Sequence, residues 1–200
     1  MKKNYVFVLL FVMCLFTMYG QNLNENEINI TYKIGDTGPA GGIIFYDKGF
    51  ISDGWRYLEA APPNTEFTAT FGGDELNSIL LPKLALIGIV NLKIDRDRLM
   101  IAVGTGKENT RRIDLGGSAA LMCAQLSING FYDWFLPSKD ELVLMFNNLK
   151  VNGLGGFSNR NYWSSSYSKL TQYWSINFSN GREQGISLEL ILQVRAIRSF

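Results

Sequence analysis

Asp133, Lys139, Asp140 and Glu141 fall within nine consecutive positions of the stretch NGFYDWFLPSKDEL, Asn129 to Leu142. Carboxylates this close to one another and to a lysine have the makings of an acid–base group or a metal cluster. The same stretch carries a competing pattern. Directly after Pro137, Ser138 and Glu141 stand at the S-x-x-E spacing of a helix capping box. In that role Ser138 accepts from the backbone of the first helical turn and Glu141 reaches back to the cap, while Asp140 complements the positive helix end. The expectation is therefore a joint of the fold, with Asp133, Trp134, Pro137, Ser138 and Glu141 as its structural residues, and Trp163 and Trp174 as core.

The other reactive side chains are sparse. The chain has no histidine, which removes the commonest general base, the commonest zinc ligand and every Ser-His or Cys-His nucleophile pair. Cys123 sits among Ala119, Met122 and Leu126 on a helical face, the setting of a small core residue rather than a nucleophile. GTGKENT, Gly104 to Thr110, has a phosphate-loop flavour, but Lys107 is followed by Glu108 where Ser or Thr is needed, and Ile101 stands where a glycine is required. Glycoside hydrolysis would need two acids facing one cleft. Nothing in the spacing of Asp53, Glu59, Asp74, Glu75 or Asp133 provides that. The reading is of a noncatalytic protein with no metal and no cofactor.

Recognition chemistry is better supplied. Tyr162, Trp163, Tyr167, Tyr173 and Trp174 crowd one region, and aromatic faces stack on sugars or anchor protein partners. The preceding loop, Val151 to Arg160 (VNGLGGFSNR), is glycine-rich and reads as little committed to the core. A contact surface centred on Arg160, Tyr167, Lys169 and Tyr173 is expected, Tyr173 lying on the polar side of its strand.

The elements that must hold these residues follow from periodicity. Gly35, Gly38 and Gly41 make a tight turn feeding a strand at Ile43 to Tyr46, and GWRYLEAAPP is a second strand stopped by two prolines. Asn64 to Ile113 has no clear period. One helix is predicted over Ser118 to Ser127, ending at Asn129-Gly130. A second begins at Ser138 and buries Leu142, Met145, Phe146 and Leu149 at i, i+3, i+4 and i+7. The rest is β: Asn161 to Tyr167, then a strand in which Trp174, Ile176 and Phe178 alternate with Tyr173, Ser175 and Asn177. Asn180-Gly181 is a hairpin signal, and Ile186 to Ala196 keeps one apolar face throughout. Strands, helices and then antiparallel strands make an α+β fold.

With 46% apolar residues in 200, the chain can bury one sizeable core. Residues 1–20 stand apart from it: Lys2 and Lys3 precede an uncharged apolar run, Tyr5 to Tyr19, as in a secretory signal peptide. Residues 21–33 form a polar linker and 34–200 the domain. The net charge is +1, which argues against nucleic acid as a partner, and contact with a membrane is expected only through the export signal. The destination is the periplasm, the outer surface or the medium. An exported chain left with Cys123 alone has no internal disulfide.

In order along the chain, IGDTGPAGGIIFYDKG, GWRYLEAAP, GTGKENT, NGFYDWFLPSKDEL, YWSSS and VRAIRSF resemble the Lcl C-terminal domain family of exported bacterial domains. The resemblance runs from about Ile34 to Phe200, with no family landmark between Phe67 and Met100. It implies a C-type-lectin-like fold, in which N- and C-terminal strands pair and two helices pack on a mainly antiparallel sheet. It also implies adhesion or recognition at the cell envelope, of a glycan or of an envelope or host surface protein. Calcium-dependent sugar binding of the animal-lectin kind needs a Glu-Pro-Asn or Gln-Pro-Asp loop followed by Trp-Asn-Asp. No proline follows Pro137 and Trp174 is followed by Ser175-Ile176, so recognition is expected to be calcium-independent. The alternatives are a structural component of envelope assembly and, less favoured, an enzyme of the formylglycine-generating or sulfatase-modifying type, for which Cys123 is a poor substitute.

Overall fold

The computed structural model describes residues 30–72, 100–113, 118–169 and 172–200. The signal segment, residues 21–29 of the linker and most of the stretch from Phe67 to Met100 lie outside the described residues. The chain divides between Thr31 and Tyr32, and the unit Tyr32–Phe200 is mixed α and β, with two sheets.

The first sheet is built on a hairpin. Strands β1 (Ile43–Ser52) and β2 (Trp55–Ala60) pair antiparallel, closing with Ser52 opposite Trp55. The two residues between them, Asp53 and Gly54, have φ of 53° and 79°, the left-handed pair that a type I′ turn demands and that Asp-Gly supplies. β2 also pairs antiparallel with the C-terminal strand β8 (Ile197–Ser199), Leu58 opposite Ser199 and Ala60 opposite Ile197. The two ends of the unit are thereby fastened together.

The second sheet has the order β3-β7-β4-β5-β6. Its members are β3 (Phe67–Thr70), β4 (Asn161–Lys169), β5 (Gln172–Asn177), β6 (Glu183–Ser187) and β7 (Ile191–Val194). The pairings are antiparallel except β4 with β7. Both faces of the centre are covered. Tyr162 and Trp163 are neighbours in β4 and point to opposite faces, and each is fully buried, Tyr162 in one apolar cluster and Trp163 in the other.

Coverage on both faces overturns two expectations. Alternation along β5 puts Tyr173 outside and Trp174 inside; instead Tyr173 is 1% exposed, stacked on Phe71 with ring centroids 3.5 Å apart, and Trp174 is half-buried. An alternating pattern reports one wet face, and here there is none at that point. The apolar run Ile186 to Ala196 is likewise not one strand. It breaks after Ser187, where the Leu188 carbonyl accepts from Phe71 N and Gly72 N. β7 then leaves β6 and inserts between β3 and β4.

Three α-helices are present among the described residues. α1 (Gly106–Arg112) occupies the GTGKENT stretch, where no helix was predicted. α2 (Ala119–Ala124) is capped by Ser118, whose hydroxyl accepts from Leu121 N at 3.2 Å. It is shorter than predicted: Asn129 and Gly130 take positive φ in a separate turn between Ile128 and Phe131, and Met122 faces solvent while Ala119, Ala120 and Cys123 are buried. α3 (Lys139–Met145) continues into a wider π turn over Phe146–Lys150. Leu142, Met145 and Leu149 are fully buried, as their spacing predicts, and Phe146 packs beside them half-buried. No helix among the described residues is long and apolar enough to cross a membrane.

Candidate functional site

The joint is built as the S-x-x-E spacing predicts. The Glu141 backbone N–H donates to Ser138 Oγ at 3.3 Å, and Glu141 Oε2 accepts from Ser138 N at 2.7 Å. The structure adds a second function for the same carboxylate. Oε1 accepts from Gly104 N at 2.8 Å. The glycine loop, set aside above as a phosphate loop, here donates to the protein's own Glu141. Gly106 is required there: a Cβ on it would lie 2.3 Å from Glu141 Oε2 and 2.8 Å from Ser138 N. Glu141 is fully buried, and desolvation outweighs the backbone N–H groups to raise its carboxyl to about 7.

Asp133, the remaining suspect, is held by the last strand. Arg198 grips it as a two-pronged fork, Nε to Oδ1 at 2.8 Å and Nη2 to Oδ2 at 3.0 Å, and extends Nη1 to Glu59 Oε2 at 3.2 Å. Burial alone would raise the Asp133 carboxyl; hydrogen bonding and charge from Arg198 overcome it and hold the group below its ordinary value. Glu59, fully buried, accepts in turn from Ala40 N at 3.1 Å and Gly42 N at 2.7 Å, which fixes the turn feeding β1. Arg198 itself lies over the rings of Phe131 and Phe200, at 4.1 and 5.1 Å. Arg195 makes a parallel set: Glu66 through Nε at 3.0 Å and the Ala61 and Gly155 carbonyls through Nη1.

The expected contact surface does not assemble. Arg160 precedes β4 and Lys169 ends it, so the two cations are separated by nine residues of extended chain, about 30 Å. Both are exposed, Tyr167 is half-buried with its ring edge against Tyr173, and Tyr173 belongs to the core. The loop Val151 to Arg160 is also more committed than its glycines suggest. Phe157 is buried, its carbonyl accepts from Lys150 Nζ at 2.7 Å, and the Gly155 carbonyl is held by Arg195. Of the structural residues, Trp134 and Trp163 are buried and each donates its indole N–H to a carbonyl, of Phe131 and Ala69 respectively. The Pro137 carbonyl accepts from Ser165 N at 2.7 Å, and the Lys139 ammonium sits 5.4 Å from the Trp174 ring.

What the structure does assemble is a cleft of about 590 Å³ between the β1–β2 turn, the glycine loop with α1, and the segment leading into α3. Trp55, Trp134 and Phe135 line its apolar part, with Tyr132, Lys107 and Asp53 among its polar residues. Tyr132 is 72% exposed, unusual for a large aromatic and available for stacking. Lys107 is exposed, and its charge also lowers the Asp133 carboxyl. Glu108 is held down to about 2 by hydrogen bonds from Arg111 first and Arg112 second. The Trp55 ring is packed rather than open, with the Lys48 ammonium 3.7 Å from its centroid.

Sequence reasoning singled out the glycine loop and Asp133 but not Trp55, Lys107 and Tyr132 as one site. The legible signals were Asp53-Gly54, which marks the hairpin, and two arginines in the mainly apolar VRAIRSF, which require buried partners. Among the described residues no cluster of three or more potential metal ligands occurs. Compared with known proteins, the chain matches no family model and no curated sequence.

Proposed function

We propose that this chain is an exported, noncatalytic recognition module of C-type-lectin-like architecture, binding a glycan or a surface protein at the cell envelope without calcium. The observation that carries the reading is the composition of the cleft: an exposed aromatic, Tyr132, and an exposed cation, Lys107, line it together with an apolar floor. Its two most buried acids have other duties. Glu141 holds backbone N–H groups and Asp133 is gripped by Arg198, so neither is left as a paired acid and base for hydrolysis. The joining of the N-terminal hairpin to β8, with the helices before the last four strands of the larger sheet, supports the lectin-like architecture.

The test is a glycan array and an envelope-extract pull-down, run with the wild-type chain and with a Lys107→Ala, Tyr132→Ala double variant. Glycan hits lost in the folded variant support the cleft. Hits retained by that variant and lost instead in an Arg160→Ala, Lys169→Ala variant move the site to the β4 ends. A structural role in envelope assembly is favoured by one observation, the exposed Phe50 and Ile51 beside the β1–β2 turn, 66% and 77% accessible. A single dominant protein partner lost on Phe50→Ser, Ile51→Ser would establish it.

A further inference from the structure

A second cavity, of about 530 Å³, lies at the end of the larger sheet where β4 begins, and it shares no lining residue with the cleft. Four adjacent strands, β3, β7, β4 and β5, each contribute one polar side chain to it: Thr68, Gln193, Asn161 and Asn177. Thr68 stands directly opposite Gln193, and Asn161 directly opposite Asn177. Side chains mounted on paired strands hold their spacing better than side chains on loops. Asn159 and Arg160, from the stretch entering β4, complete the polar wall.

The chemistry of this lining is one-sided. Asn161 Oδ1 accepts from Gln184 Nε2 at 3.2 Å, and Asn177 Oδ1 accepts from the Ser179 N–H at 2.8 Å and from the Ser179 hydroxyl. Both amides are thus fixed through their oxygens, and their NH2 groups have no partner among the described residues. The Arg160 backbone is anchored as well, its carbonyl accepting from Phe178 N at 2.8 Å, while its exposed guanidinium makes no hydrogen bond or ion pair among the described residues. No carboxylate among the described residues lines the cavity. The wall therefore offers a guanidinium fork and two amide donors from separate strands, with Thr68, Asn159 and Gln193 able to donate or accept and no lining acid to oppose an anion.

We propose that this cavity is a phosphate site, separate from the recognition cleft, which takes a phosphate group either free or as a monoester. A carboxylate has two oxygens in one plane, whereas a phosphate group presents at least three, spread in space, with about two negative charges at neutral pH. Donors arriving from β4, from β5 and from Arg160 match that spread, and the guanidinium fork fits two of its oxygens at once. Ile191 and Leu192, on the same wall, border the carbon side of an ester. The site takes up Arg160, one of the four residues expected to share a contact surface, but joins it to Asn161, Asn177, Thr68 and Gln193 in place of Tyr167, Lys169 and Tyr173. It stands whether the cleft binds a glycan, a protein or neither.

The test titrates the full chain, nitrogen-15 labelled, with sodium phosphate at an ionic strength held constant with sodium chloride. The side-chain NH2 resonances of Asn161 and Asn177 and the Arg160 Nε–H are expected to shift together and to saturate, while the Trp55 indole, at the cleft, stays constant. Arg160→Ala removes the fork, and Asn177→Asp keeps the acceptor for Ser179 while placing a carboxylate in the cavity; each is expected to weaken phosphate binding at least tenfold, the loss of a charge-assisted hydrogen bond. Should Asn177→Asp not fold, Arg160→Ala decides, because the Arg160 side chain holds nothing in the described fold. Shifts that fail to saturate, or that persist unchanged in Arg160→Ala, overturn the site and leave an adventitious ion only. Glycerol phosphate and lipid vesicles distinguish the source. Tighter binding of glycerol phosphate than of inorganic phosphate marks a soluble ester, and sedimentation with phosphatidic acid vesicles but not with phosphatidylserine vesicles, lost in Arg160→Ala, marks a lipid headgroup. Preference for inorganic phosphate over both marks the free ion. The Lys107→Ala, Tyr132→Ala variant is expected to titrate as the wild type does; loss of the phosphate shifts there would put the ion in the cleft and overturn a separate site.

Discussion

Glu59 and Glu141 are both fully buried, and both fasten a glycine-containing turn by accepting backbone N–H groups. They differ in what neutralises them. Glu59 has a guanidinium, Arg198, at 3.2 Å; Glu141 has only peptide dipoles and the N-terminal end of its own helix, and no ion pair among the described residues. A cation supplies a full opposing charge, whereas N–H dipoles only partly replace lost water. The first arrangement makes a permanent rivet between the N-terminal turn and the last strand. The second leaves the carboxyl raised to about 7 by its burial, at a contact where a loop borders the cleft.

The largest expected effect comes from breaking the rivet. Arg198→Met leaves Glu59 buried without its cation and frees Asp133 at once, and a loss of about 3–5 kcal/mol is expected from urea unfolding. A loss under about 1 kcal/mol would mean that Glu59 is held adequately by Ala40 and Gly42 alone, and the distinction between the two glutamates would collapse.

The pH profile separates the two regions next. The Glu141 carboxyl stands at about 7 in the fold against 4.5 ordinarily. Its contribution is full below pH 4.5 and is lost as the pH rises through 7, an order-of-magnitude change of about 3 kcal/mol. Asp133 runs the other way. Its lowered carboxyl contributes stability above 3.8 that is lost as the pH falls below that value. Urea unfolding at pH 5 and pH 8.5 is expected to show the alkaline loss in the wild type and a flatter profile in Glu141→Gln. Identical slopes in the two proteins would assign the loss to another group.

A smaller change is expected at the cap. Ser138→Ala removes the acceptor for Glu141 N and the donor to the Ala102 carbonyl, for a cost of about 0.5–2 kcal/mol. An unchanged urea midpoint would give the stretch a role other than architecture. The last expectation is of no effect: a chelator should leave the melting temperature unaltered, and a fall of several degrees would point first to Asp133 as a ligand.

Local rules made part of this legible. The capping box, the stripe Leu142, Met145 and Leu149, the turn at Gly35 to Gly41 and the β5–β6 hairpin all involve residues close in sequence, where spacing and conformational preference act directly. The readings that failed needed knowledge of what lies across the molecule. Tyr173 looked like a surface residue because its neighbours alternate, yet Phe71, about a hundred positions earlier, covers it. The four residues proposed as one contact surface share a region of sequence, but an extended strand carries its two ends apart.

The sequence by itself determined an α+β chain with a helix capped at Ser138 and no histidine chemistry, because composition and short-range spacing need no partner to be read. The tertiary structure alone decided that Asp133 meets Arg198 over a separation of 65 residues and that Gly104 meets Glu141 over 37. The physical reason is that a buried charge requires a counter-charge or donors from somewhere, while chain folding decides from where. The sequence states the requirement in the arginines of VRAIRSF and the acids of DWFLPSKDE. Only the pairing of β8 with β2 and the seating of the glycine loop at the start of α3 show which acid received a cation and which was left with dipoles, at the edge of a cleft.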